Sequence, residues 1–212
     1  MLYFFALSAA PAARASLIAY LWPLLIVLLS AAAPGGERLR ARHLGGALLG
    51  LAGTALILSE RSPAGAGASS AAGYAAAFGC ALVWSGYSVV NRRFAATPSA
   101  MLVGVCGAVA VAGGAGHLAF ETTVWPDVGQ WFAVLVLGVG PTGLAFLAWD
   151  YATKRGHLPL LGALSYLAPL ILMRLLLVVA GRTAATGPLL LAALLVISGA
   201  LLATGLPVGK KG

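Results

Sequence analysis

The stretch Leu158–Leu172, LPLLGALSYLAPLIL, decides the fold because it has a counterpart earlier in the same chain. A shift of 146 positions, the separation of Tyr20 and Tyr166, lays Tyr166-Leu167-Ala168-Pro169-Leu170 on Tyr20-Leu21-Trp22-Pro23-Leu24. The register then continues without a gap, with Ala47-Leu48-Leu49 on Ala193-Leu194-Leu195, Gly53 on Gly199 and Leu56 on Leu202. This is an internal repeat. Each copy carries a proline in the middle of an apolar run, where a soluble helix would break. In a bilayer such a proline is tolerated, and paired proline-interrupted apolar segments point to the binding site of a transporter.

Composition agrees with a membrane setting. Of the 212 residues 61% are hydrophobic and 8% charged, and the mean hydropathy is +0.98. A soluble domain would carry about a quarter charged residues. The net charge of +8 and the pI near 10.1 do not indicate nucleic acid, because the basic residues form short clusters between apolar runs rather than a stripe. Cys80 and Cys106 lie inside apolar runs, so neither a disulfide framework nor a metal site is indicated. Met1 to Ala15 lacks the positive n-region of a signal peptide. The repeat accounts for it better, since Tyr3 falls on Trp149 and Ala6 on Ala152.

Along the chain, Tyr3–Ala10 is too short to cross a hydrocarbon core that needs about 20 residues, and reads as the tail of a helix. Seven complete spans are expected: Ala12–Ala33, Leu44–Ser59, Ala71–Asn91, Ala100–Phe120, Trp131–Tyr151, Leu158–Ala180 and Pro188–Leu206. Gly46, Gly50 and Gly53 share one face of the second, a spacing that lets two helices approach closely in lipid. Residues 60–70 form a linker between a first repeat, 1–59, and a second, 71–206; a tail, 207–212, follows. With Arg38, Arg40, Arg42, Arg92, Arg93, Lys154, Arg155, Lys210 and Lys211 on one side, only Arg14, Arg61 and Arg182 lie opposite. The positive-inside bias therefore puts the C-terminus in the cytoplasm. Five spans in the second repeat require the two repeats to be inverted in the membrane, and about 75 residues are expected to be missing before Met1.

Several residues could carry function. Trp84, Tyr87, Ser88 and Asn91 share a helix face and read either as a cavity wall or, next to Arg92-Arg93, as an interfacial belt. Ser165 and Tyr166 precede Pro169, whose missing N–H frees the Ser165 carbonyl. Tyr20 is the repeat equivalent of Tyr166, with Ser16 one turn before it. Pro23, Pro169 and Pro141 are candidate hinges, or simple kinks; Gly138, Gly140 and Gly143 surround the last. Trp149 and Asp150 lie near the end of their span, where Asp150 either pairs with Lys154 or binds a proton or an amine. Arg174, costly in a span, either reaches the outer headgroups or faces the cavity. His43, His117 and His157 sit at span ends, and no nucleophile, base or metal cluster has workable spacing. An enzyme is not expected, nor a cofactor.

The residues Ala15 to Leu24, the Glu37-Arg38 loop and the Leu44…Gly53 span resemble the end of an EamA domain of the drug/metabolite transporter superfamily. Ala71 to Leu206 resembles a complete copy. Leu158 to Leu170 and Trp84 to Asn91 are most similar to the bacterial YddG-type aromatic amino acid exporters. The resemblance implies an all-α membrane bundle of ten spans as an inverted repeat, of which this chain holds seven and a remnant. It implies alternating-access export of aromatic or other apolar amino acids through a central cavity in the bacterial inner membrane. The expected partners are a small-molecule substrate and membrane lipid, with no nucleic acid and with oligomeric state open. A broader metabolite or drug exporter, or a non-transporting fragment that needs a partner chain, are the alternatives. Arg174 departs from the family pattern, where a small or apolar residue is expected.

Overall fold

The structure is a computed structural model and describes residues 2–33, 38–59, 70–171 and 187–204. Arg174, the linker from 60 to 69 and the tail fall outside the described residues. Among the described residues all regular structure is helical. The chain divides into two compact units, residues 1–90 with 157–212, and residues 91–156.

The first unit contains α1 (Leu2–Ala9), α2 (Ala12–Ala19), α3 (Trp22–Ala32), α4 (Ala41–Ser59), most of α5 (Ala71–Asn91), α9 (Leu158–Leu164) and α10 (Gly187–Thr204). The expected span Ala12–Ala33 is divided at Tyr20-Leu21, because Pro23 has no N–H to bond one turn back. The Leu21 N–H instead bonds the Ile18 carbonyl at 3.1 Å, a tightened turn that lets α3 begin with proline in its first turn. The helix ahead of Pro169 is interrupted in the same way at Ser165-Tyr166. There the Tyr166 N–H bonds the Ala163 carbonyl at 3.4 Å, and helix resumes at Leu167. Under the 146-residue shift the two breaks fall within one residue of each other.

α4 and α10 pack backbone to backbone. A Cβ added at Gly46 would lie 2.5 Å from the Gly199 carbonyl oxygen, and one at Gly53 would lie 2.8 Å from that of Ala192. As α4 advances, its contact on α10 retreats, so the two helices run antiparallel. Around this contact Val27, Ala47, Ala163, Tyr166, Leu170, Ala192, Val196 and Ala203 form a buried apolar core. A second, alanine-rich cluster joins α1, α2 and α5 through Ala6, Ala10, Ala15, Ala76 and Ala77. Small side chains there let the helices approach closely.

The second unit runs from Asn91 through a 3₁₀ turn (Arg92–Phe94) to α6 (Met101–Phe120) and α7 (Val128–Leu137), then a π-helical turn (Gly138–Leu144) and α8 (Ala145–Arg155). α7 opens with a capping box between Asp127 and Gln130. Pro141 does not end the helix. The turn widens around it, so that the Ala145 N–H reaches the Gly140 carbonyl, five residues back. The wide turn brings the Gly138 carbonyl oxygen to 2.9 Å from any Cβ at position 143, which only glycine accommodates.

α6 and α7 are apolar and have no buried residue. In water that surface would be unstable; hydrocarbon is its compatible solvent. Among the described residues, Arg14–Ala32, Ala71–Phe94, Met101–Phe120 and Val128–Arg155 are long and apolar enough to cross a membrane. Leu158–Ile171 and Leu190–Ala203 are shorter apolar helices.

Candidate functional site

Three aromatic side chains meet where α3 begins beside α5. Trp22 and Trp84 stack edge to face with ring centroids 6.2 Å apart, and Trp84 meets Tyr87 at 5.6 Å. All three are half-buried. Trp84 and Tyr87 come together because they are three residues apart on α5. Trp22 is the first residue of α3, directly after the turn at Tyr20-Leu21. Such a group can stack on a planar apolar ring.

Close by in sequence, the Tyr3 hydroxyl and Ser16 Oγ are 3.0 Å apart, and half-buried Tyr20 lies one turn beyond Ser16. The Tyr20 carbonyl accepts a hydrogen bond of 3.1 Å from the hydroxyl of Tyr166, its own repeat equivalent. The two bends are therefore in direct contact. Tyr166 is fully buried, with its ring against Gly50 and its hydroxyl spent on the Tyr20 carbonyl, so it joins the two bends.

Ser165 and Ser88 have their hydroxyls turned onto their own helices, to the Leu161 carbonyl at 2.7 Å and the Trp84 carbonyl at 2.9 Å. The Ser165 carbonyl expected to be freed by Pro169 accepts the Ala168 N–H at 3.1 Å. Neighbouring backbone has thus satisfied the group that proline orphaned.

Asn91 belongs to a different constellation, in the second unit. Its Nδ2 donates to Asp150 Oδ1 at 2.9 Å and to Thr153 Oγ1 at 3.0 Å. Asp150 Oδ2 accepts from Lys154 Nζ at 2.8 Å, and Nζ also donates to the Thr97 carbonyl at 3.0 Å. All four side chains are buried. The Asp150–Lys154 spacing gives the pair expected from sequence, and the network leaves Asn91 tied to α8. Trp149 is half-buried one residue before Asp150, its carbonyl accepting the Thr153 hydroxyl at 2.9 Å.

A cavity of about 410 Å³ lies between α2 and α4, lined by Leu17, Ile18, Leu21, Leu48, Leu51, Ala52 and Ala55. Its walls offer no polar group to orient a zwitterion. Among the described residues no group of three or more His, Cys, Asp or Glu side chains could hold a metal.

Sequence reasoning missed Trp22 and Tyr3. Trp22 sits one residue before Pro23, in the repeat segment itself, and an aromatic beside a proline bend was the signal available.

The EamA-like transporter family model matches residues 1–59 and 71–205. The protein named "Aromatic amino acid exporter YddG" from Ancylobacter novellus is 52% identical over 203 residues, 95% of this chain and 70% of that protein. A solved crystal structure, 51% identical, is similar with a TM-score of 0.86 over 96% of this chain and 72% of that one. The relatives are transporters rather than enzymes, and their family, with the long apolar helices, makes this a multi-pass membrane protein. Matched over most of its length, the chain belongs to the EamA-like transporter family.

Proposed function

We propose that this protein exports amino acids with aromatic or other apolar side chains across the bacterial inner membrane. The observation that carries the reading is the Trp22–Trp84–Tyr87 group beside two proline bends that touch through Tyr20 and Tyr166. Trp22 and Trp84 hold the ring of the substrate by stacking, and Tyr87 and Tyr20 flank it. Tyr166 acts at one remove, by fixing the bend that presents Trp22. Ser88 and Ser165, bonded to their own helices, shape the wall, whereas Asn91 and Trp149 lie with the Asp150 network and support it.

The repeats 1–59 and 71–206 are inverted relative to one another. This is supported by the antiparallel α4–α10 contact, in which Gly46 meets Gly199 while Gly53 meets Ala192, positions that exchange under the 146-residue shift. Substrate passes between the repeats by alternating access, with Pro23, Pro169 and Pro141 as the points where helices yield. The C-terminus is cytoplasmic by the distribution of Arg and Lys, and gradients rather than a bound nucleotide drive transport. The name of the Ancylobacter relative supports the substrate class.

The test is efflux of phenylalanine or tryptophan from proteoliposomes. Trp84→Ala and Trp22→Ala each remove a stacking partner worth about 0.5–1.5 kcal/mol. Each should weaken apparent substrate affinity by roughly two- to tenfold, with membrane levels unchanged. Trp84→Phe should retain most activity. Wild-type efflux from both alanine variants would defeat the reading.

A further inference from the structure

We propose that His43 and His157 form a pH-operated latch that holds the first turns of α4 and α9 together and releases both when protonated. Their rings meet with centroids 4.9 Å apart at 53°. His43 Nδ1 accepts the Arg40 N–H at 3.4 Å, while the His43 N–H donates to the Arg40 carbonyl at 2.9 Å, so the turn into α4 is closed twice. His157 caps α9 in the same manner, its Nδ1 accepting the Leu160 N–H at 3.3 Å.

An imidazole nitrogen that accepts has no proton, so each ring carries its proton on Nε2. The pair is therefore no metal site, because both Nε2 lone pairs are occupied by hydrogen. A further proton must land on Nδ1, the atom that holds the backbone N–H. Acceptor then becomes donor, facing another donor, and the cap is lost. The new charge also sits at a helix N-terminus, where the peptide dipoles oppose it.

The groups acting on His43 are His157, which caps α9, Arg42 in the first turn of α4 and Arg40 just before it. α3 and α10, which also pack against α4, carry no titratable side chain, and α2 contributes only Arg14. Upstream of His157, Lys154 is held by Asp150, and the Arg155 guanidinium lies 4.2 Å from the centre of the Tyr151 ring. Burial first, then His157 and the two arginines, keep His43 below the ordinary histidine range, which favours the neutral ring whose Nδ1 accepts the Arg40 N–H.

The latch connects directly to the bends. α9 runs from His157 to Gly162, where a Cβ would lie 2.7 Å from the Pro23 carbonyl oxygen, and then to the Tyr166–Tyr20 hydrogen bond. Loosening its first turn loosens the element that fixes Trp22. As regulation of transport, this rests on the export reading; as a structural switch, it does not.

Amide hydrogen exchange on the full chain in lipid nanodiscs tests it, comparing protection at pH 7.5 and 5.5 after correction for the intrinsic rate. Peptides covering 40–47 and 157–164 should lose protection by about fivefold at the lower pH, the effect of one cap, while α10 holds. His157→Asn, and the double variant with His43→Asn, keep a side-chain acceptor without titrating and should abolish that response. The single variant decides the matter if the double one does not insert. Equal protection of the wild type at both pH values, or an undiminished acid response in His157→Asn, overturns the latch. Efflux should slow at pH 5.5 in the wild type and not in His157→Asn. Absence of efflux at every pH would defeat the export reading, and the exchange result would still judge the latch.

Discussion

Lys154 and Asp150 are almost fully buried and answer each other at 2.8 Å, with Asn91, Thr153 and the Thr97 carbonyl completing the set. A pair this well satisfied tolerates being replaced together better than being halved, because a lone buried charge has nothing to offset its desolvation. Lys154→Met alone should therefore lower stability by about 3–5 kcal/mol, and Lys154→Met with Asp150→Asn should recover most of it, read by thermal melting in detergent. The sequence disclosed half of this network. Asp150 and Lys154 are four apart on one helix and could be paired by eye, whereas Asn91 lies on α5 and reaches them only after the chain has folded back. Trp84 and Tyr87 were legible for the same local reason, and Trp22, joined to them only by tertiary packing, was not.

At the scale of elements, the glycines of α4 have unequal neighbours from those of α6. A side chain at Gly46 must displace the backbone of α10, while a Cβ added at Gly107 on α6 would meet no atom within 4 Å. Gly46→Leu should cost at least about 1–3 kcal/mol by forcing the helices apart. Gly107→Leu should leave stability within about 0.5 kcal/mol of wild type in the same melting experiment, as surface substitutions do. The periodicity of Gly46, Gly50 and Gly53 announced a contact face. It did not name the partner, which depends on how α10 returns. The prolines were legible as interruptions, yet their form was not. Two give tightened turns and Pro141 a widened one, which needs glycine at 143 because a Cβ there would lie 2.9 Å from the Gly138 carbonyl oxygen.

For the molecule as a whole, composition and hydropathy settled the solvent before any contact was known. α6 and α7, apolar with no buried residue, carry the same message in three dimensions. Stability should also report its buried histidine. Because His43 binds a proton less readily in the fold than in the unfolded chain, the unfolded state takes up more protons as pH falls. Its stabilising contribution is complete above the ordinary histidine value of about 6.5 and is lost as pH drops toward the lower folded one. Melting temperature should fall from pH 7.5 to 5 in the wild type, and less steeply in His43→Asn. The widened turn at Gly138–Leu144 has a different bearing, on heredity. Deleting one residue from a regular membrane helix rotates everything beyond it by about 100°, exchanging lipid-facing for inward-facing side chains. Here the surplus residue is already stored in the loop of hydrogen bonds, so a single-codon loss could be absorbed with α7 and α8 keeping their faces.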